Sequence, residues 1–306
     1  MKLILRVFRK IKLFFTSFLN IIYRRKLDYF EYKKLSRPFR IFYFRSYPSN
    51  KFYGINKAVS IKINKRLPKY SIIEHGVYFD NSMNLAELKY FENPVIYTMG
   101  KQRMEFLTNN GIQNVYSIGP YIKYVRNFKT KKKREDLKTK LGKTLLVFPS
   151  HSIEGVDSVF NEKSFLNEIK ECSKDFQTTL ICMYWKDILD NRHIVYQNDG
   201  FVIVTAGYRN DPFFLSRLKD LIELSDMTMS NNLGTHIGYS IALNKPHYLF
   251  KQKCFYKGEK LSEETKHQDL EVMEFRKELF YKAFGHYMKD ITKDQIELVK
   301  YYWGDF

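Results

Sequence analysis

The chain has 306 residues, 44% of them hydrophobic, with 26 Phe and 23 Tyr, which is enough apolar bulk for two domains with separate cores. Lys and Arg number 52 against 33 Asp and Glu, a formal +19 at pH 7, so the expected partner is acidic: lipid, nucleic acid or a phosphorylated ligand. The three cysteines, Cys172, Cys182 and Cys254, are too widely spaced for a CxxC pair or a disulfide framework; they argue against structural zinc and fit a reducing compartment.

Residues 1–37 hold eleven Lys or Arg and two acids, Asp28 and Glu31. In residues 1–23 the polar positions Lys2, Arg6, Arg9, Thr16 and Asn20 recur near helical spacing among Leu, Ile, Val and Phe. The longest uncharged run, residues 13–23, falls short of the ~20 residues a spanning helix needs, and no small-residue cleavage site follows it. The expectation is a basic amphipathic helix on an anionic membrane surface; packing of the same helix on its own domain is the alternative.

From residue 38 to 128 short apolar runs alternate with turns. Strands are predicted at 39–44, 70–73, 94–98 and 115–118, with a helix at 101–109 that stops at Asn110-Gly111. Strand–helix–strand alternation implies a parallel sheet. Glu74-His75-Gly76 follows the second of these strands, at the edge where ligands of open α/β sheets collect. There His75 is placed to act as a general base on an acceptor hydroxyl. Glu74 either orients that imidazole or turns back into the fold.

Residues 129–143 carry eight Lys or Arg and two acids and read as a basic linker or surface helix between domains. No aromatic residues interleave with the charges, so nucleic acid is not the expected partner. A second α/β alternation fills 144–258, with strands at 144–148, 179–184, 201–205, 227–230 and 247–250 and helices at 161–173 and 213–224. Helical, Lys- and Glu-rich sequence takes up 259–306, where Thr292 and Gln295 form a capping box.

The densest signal is the stretch 230–246. A strand ending at Ser230 leads through Asn231, Asn232 and Gly234 into a helix opened by Thr235-His236 and closed before Pro246. A polar turn before a helix N-terminus suits a phosphate, although Ser and Asn also cap helices without any ligand. Ser150, His151 and Ser152 after the 144–148 strand, and Arg209 after the 201–205 strand, share the same rim if the sheet is parallel. His151 and His236 are rival bases, placed instead to donate hydrogen bonds to phosphate.

Together, Glu74-His75-Gly76 and Ile118-Gly119-Pro120-Tyr121 in the first half, with Phe148-Pro149-Ser150-His151-Ser152, Ser230 to Thr235 and Ala242-x-x-Lys245-Pro246 in the second, resemble the GT-B glycosyltransferases of bacterial capsule, lipopolysaccharide and teichoic-acid synthesis. The resemblance covers roughly residues 39–250. It implies two doubly wound Rossmann-like domains facing a cleft, a nucleotide-sugar donor, a glycan or lipid-linked glycan acceptor, and a place on the inner face of the cell membrane. It also implies no cofactor and no metal, in keeping with the lack of any Asp-x-Asp triplet. The glutamate with which such enzymes contact the donor ribose has no evident counterpart. Transfer of a polyol phosphate from a CDP donor, sugar-nucleotide epimerisation and non-enzymatic nucleic-acid binding are the alternatives.

Overall fold

A computed structural model describes residues 2–42, 47–79, 81, 91–153, 155–258 and 270–306. Among the described residues the chain is α/β with two parallel sheets. The first has three strands in the order β1 (Ser71–Ile73), β2 (Val95–Thr98), β3 (Val115–Ser117). The helix Lys101–Asn109 makes the crossover from β2 to β3.

The second sheet has five parallel strands: β4 (Thr144–Phe148), β6 (Thr178–Cys182), β7 (Val202–Val204), β8 (Met227–Ser230) and β9 (His247–Leu249). Their spatial order is β7-β6-β4-β8-β9. The chain winds outward from β4 to β7, then returns to the other side of β4 as β8. The winding direction therefore reverses between β4 and β8, the place where open α/β sheets bind ligands. Strands β5 (Asp157–Val159) and β10 (Phe255–Lys257) lie outside this sheet and pair antiparallel with each other.

Alternation along the strands divides the core. Leu145 and Val147 face a cluster with Phe165, Ile169 and Ile181, whereas Leu146 and Phe148 point to the opposite side. On that side one continuous apolar cluster joins the second sheet to Ile73 and Tyr97 of the first and to Tyr302 and Trp303 of the C-terminal helix Lys293–Trp303. This last helix packs between the helix Lys101–Asn109 of the first sheet and the helix Thr235–Ala242 of the second. Gly238 on the helix Thr235–Ala242 leaves room for the Trp303 indole, which a β-carbon would meet at 2.1 Å, and Gly100 does the same for the Tyr302 backbone at 2.2 Å. The predicted capping box holds: Thr292 Oγ1 accepts from the Gln295 N–H at 3.2 Å, and Gln295 Oε1 from the Thr292 N–H at 3.0 Å.

One local expectation is corrected. Residues 39–42 form no strand; Phe42 instead donates its N–H to Ser17 Oγ on the N-terminal helix, and 43–44 lie outside the described residues. Asp211 does not cap the helix Phe214–Leu224 directly. One of its oxygens accepts from the Phe213 N–H and the other pairs with Arg217 at 2.8 Å, with Arg24 at 3.5 Å. Trp185 and Lys186 open the short helix Trp185–Leu189. The proposed C-terminal helical stretch begins, among the described residues, at Leu270–Phe284. Residues 131–141 of the basic segment form a helix, Lys131–Leu141, tethered to its neighbour: buried Asp220 accepts from the N–H groups of Phe128 and Lys129. The backbone of this segment's start is thus committed to internal contacts.

Candidate functional site

All five strands of the second sheet run parallel, so the loops after β4, β6, β7 and β8 lie on one edge, as the sequence requires. A cleft of about 290 Å³ opens there, near the lower end of the ~300–1,000 Å³ usual for small-molecule sites. Of the twelve residues singled out in the sequence, seven line it: His75, Ser150, His151, Asn232, Gly234, Thr235 and His236.

The loop after β1 meets the second sheet at this cleft. The Val77 N–H donates to Thr235 Oγ1 at 3.2 Å, and Gly76 permits the approach, since a β-carbon there would sit 3.1 Å from the same oxygen. The two stretches that the sequence marks in different halves of the chain are therefore neighbours. The first-turn N–H groups of Thr235 and His236 have no hydrogen-bond partner among the described residues. Such N–H groups, at the positive end of a helix, favour an anion.

The turns around this helix end are fixed from behind. Asn231 is fully buried; its Oδ1 accepts from the Ser150 N–H at 2.7 Å. Asn232 donates to Ser150 Oγ at 3.1 Å and to the Tyr256 hydroxyl of β10 at 3.2 Å. Ser152 is also fully buried, its N–H on Asp187 and its hydroxyl accepting from Arg192 at 2.9 Å. Ser230 Oγ bonds His247 Nε2 at 3.0 Å. Ser152, Ser230 and Asn231 thus stand outside the cleft lining and build the rim behind it. The physical reason is common to them: each satisfies a buried backbone or ring polar group that a ligand could not reach.

Glu74 takes the second of its two expected places. Its carboxylate is buried, bonded by Arg103 at 2.7 Å and by the Thr98 hydroxyl at 2.8 Å, and it turns into the fold rather than towards His75. Arg209 stands outside the cleft lining, its guanidinium over the Phe52 ring at 5.1 Å and near Trp185 at 5.9 Å. Its carbonyl accepts from the Tyr53 N–H at 2.6 Å.

The lining is mostly aromatic and aliphatic, and no Lys, Arg, Asp or Glu is among its described residues. Tyr53, Tyr184, Phe214, Tyr239 and Tyr256 were not singled out in the sequence. Tyr53 has a left-handed backbone, φ 60°, followed by Gly54 at φ 72°, and its hydroxyl shares a 2.9 Å hydrogen bond with Tyr184. The pair Tyr53-Gly54 was the one local clue, since a turn at positive φ favours glycine. The other four are indistinguishable in sequence from core aromatics.

Burial holds the cleft imidazoles neutral. It pushes His75 below the usual histidine range, with the charge of Arg209 acting in the same direction, and the ring lies edge-on to Phe52. Burial, with His151 nearby, lowers His236 to about 3 while its ring stacks on Phe148 at 4.8 Å. Nε2 of His236 is buried without a hydrogen-bond partner. His151 lies at the exposed lip, its ring 4.4 Å from that of Tyr184.

A depressed histidine contributes stability above its unfolded value of about 6.5, and that stability is lost as pH falls towards the folded value. Wild type is therefore expected to weaken progressively between pH 6.5 and 4, by up to about 3 kcal/mol from His236 alone. His236→Phe, which keeps the stack, should flatten this fall. Urea midpoints at pH 7 and pH 4 measure it, and equal losses in both proteins would remove His236 as a cause.

No protein-family model matches the sequence, and no curated protein is significantly similar to it. Several solved structures are similar, two of them as follows. The chain resembles a Staphylococcus aureus MnaA–UDP co-structure at 10% identity and a TM-score of 0.40, over 88% of this chain and 80% of that one. It resembles the wall teichoic acid polymerase TagF at 12% identity and a TM-score of 0.37, over 72% of this chain. The match spans 55% of the TagF chain. At these levels the likeness assigns no activity. Among the described residues no group of His, Cys, Asp or Glu is arranged to hold a metal ion.

Proposed function

We propose that the protein is a GT-B-type glycosyltransferase that moves a sugar from a nucleotide-sugar donor to a growing bacterial surface glycan. In this reading residues 38–128 form the acceptor side and 144–258 the donor side. The observation that carries it is the meeting of the His75-Gly76-Val77 loop with the N-terminus of Thr235–Ala242 across the β4–β8 reversal. The donor diphosphate would lie on the helix N-terminus, where unpaired N–H groups and the Thr235 hydroxyl meet its charge, and Asn232, Ser150 and His151 flank it. The aromatic lining would take the nucleoside. His75, neutral and at the cleft, would accept the proton of the acceptor hydroxyl.

Calorimetry with UDP-, CDP-, CMP- and GDP-linked compounds, alongside short DNA and RNA, tests the reading. Thr235→Ala is expected to weaken nucleotide binding by about 1 kcal/mol, roughly fivefold. Gly234→Val should weaken it more, because a β-carbon there meets the His236 ring at 2.6 Å and forces it across the helix end. Unchanged nucleotide affinity in folded Gly234→Val protein would place the donor elsewhere. A preference for CDP-polyols over sugar nucleotides would move the reaction to phosphotransfer.

A further inference from the structure

The N-terminal helix Lys2–Lys26 turns its apolar side away from the rest of the protein. Leu13, Ser17, Asn20, Ile21 and Arg24 face the body: Ser17 accepts the Phe42 N–H at 3.0 Å, and buried Arg24 bonds the Leu35 carbonyl at 3.0 Å. Phe8, Ile11, Phe15, Phe18, Leu19 and Ile22 are 40–66% exposed. At about 100° per residue this stripe is centred roughly 165° from the body-facing side. The helix is therefore not held by its hydrophobic face. It is held at its root, where the Arg24 carbonyl accepts from Arg217 at 2.6 Å and the Arg24 guanidinium stacks on Phe39.

We infer that this stripe is the docking surface for a lipid bilayer bearing anionic headgroups. Residues 1–26 contain eight Lys or Arg and no acid, so a second copy of the helix would meet its like charges, whereas an anionic surface is complementary. Exposed Lys12 on one edge of the stripe and exposed Arg25 on the other reach headgroups while Phe and Ile enter the acyl boundary. No helix among the described residues is long and apolar enough to cross a membrane, so this helix, about 37 Å long at 1.5 Å per residue, lies in the interface. Its root also fixes the cleft rim. Thr205 donates its N–H to the Tyr29 carbonyl and Tyr208 to that of Leu35, on either side of Ala206, which lines the cleft. Docking therefore holds that rim close to the lipid surface.

Co-sedimentation of the full chain with vesicles of phosphatidylcholine alone, or mixed with phosphatidylglycerol, tests this without any substrate, so its outcome is independent of the proposed reaction. Wild type should partition onto the anionic vesicles and leave them as salt rises. Phe15→Ser with Phe18→Ser should reduce binding at least tenfold at unchanged melting temperature, since both rings are exposed. Replacing Lys12, Arg25 and Lys26 with Gln should remove the salt-sensitive part. Undiminished binding of the Phe15→Ser/Phe18→Ser protein, equal binding to neutral vesicles, or no binding by wild type would each overturn the inference. So would a wild-type dimer in light scattering that the same double variant dissolves, which would give the stripe to a second copy.

Discussion

Folded His75→Ala protein is expected to lose about 10²–10⁴ in turnover while binding nucleotide as tightly as wild type. A hydroxyl is a poor nucleophile, and a base that takes its proton as the new bond forms acts in the transition state more than in donor binding. His75 meets the requirements that can be read from its surroundings. It lines the cleft, burial and Arg209 hold it below the usual histidine range, and it has no hydrogen-bond partner among the described residues that would occupy its nitrogens. The acid limb of kcat/KM should accordingly fall below pH 6.5, because the imidazole protonates only at lower pH than a free one. His151→Ala and His236→Ala are the comparison. Both should act on nucleotide affinity first, His236 because it stacks under the helix end that would hold the phosphates. Near-normal turnover in His75→Ala, measured beside the other two on one acceptor, would end its assignment as base. A loss confined to either rival would move the base to the second sheet.

Trp303→Ala should cost about 3–5 kcal/mol, the usual range for deleting a buried tryptophan. That is a large share of the ~5–15 kcal/mol that holds an ordinary domain together. The indole is fully buried against Gly238, packs near Phe79 and Phe280, and donates Nε1–H to the Thr235 carbonyl at 3.1 Å. Gly238→Ala attacks the same contact from the other side, with its β-carbon 2.1 Å from the ring. Both variants should lower the urea midpoint followed by circular dichroism. Trp303→Phe should retain most of the stability, losing roughly the 1 kcal/mol of its hydrogen bond. Because the Thr235 carbonyl belongs to the helix end proposed to hold the donor, all three should also weaken nucleotide binding. A Trp303→Ala protein as stable as wild type would mean that the last helix is dispensable to the join between the sheets.

Local order was legible in the sequence wherever a strand or helix carried its own punctuation. The strands 144–148 and 227–230, the helix 101–109 and the capping box at Thr292 appear where periodicity and turn residues place them, because pleat alternation and helix-end hydrogen bonds are satisfied within a few residues. The small polar turns after the strands were legible for the same reason, and seven of their marked residues do reach one cleft. Tertiary structure alone decided which polar side chains face that cleft. Glu74, Ser152, Ser230 and Asn231 look in sequence like their neighbours His75, Ser150 and Asn232. Yet Arg103, Arg192, His247 and the Ser150 N–H, all distant in the chain, claim their hydrogen bonds. Composition set the charge and the apolar pattern of residues 1–26, but a helical repeat has no outside or inside until something packs on it. The buried Arg24 and Ser17 contacts chose that side, and so left the phenylalanines facing outward.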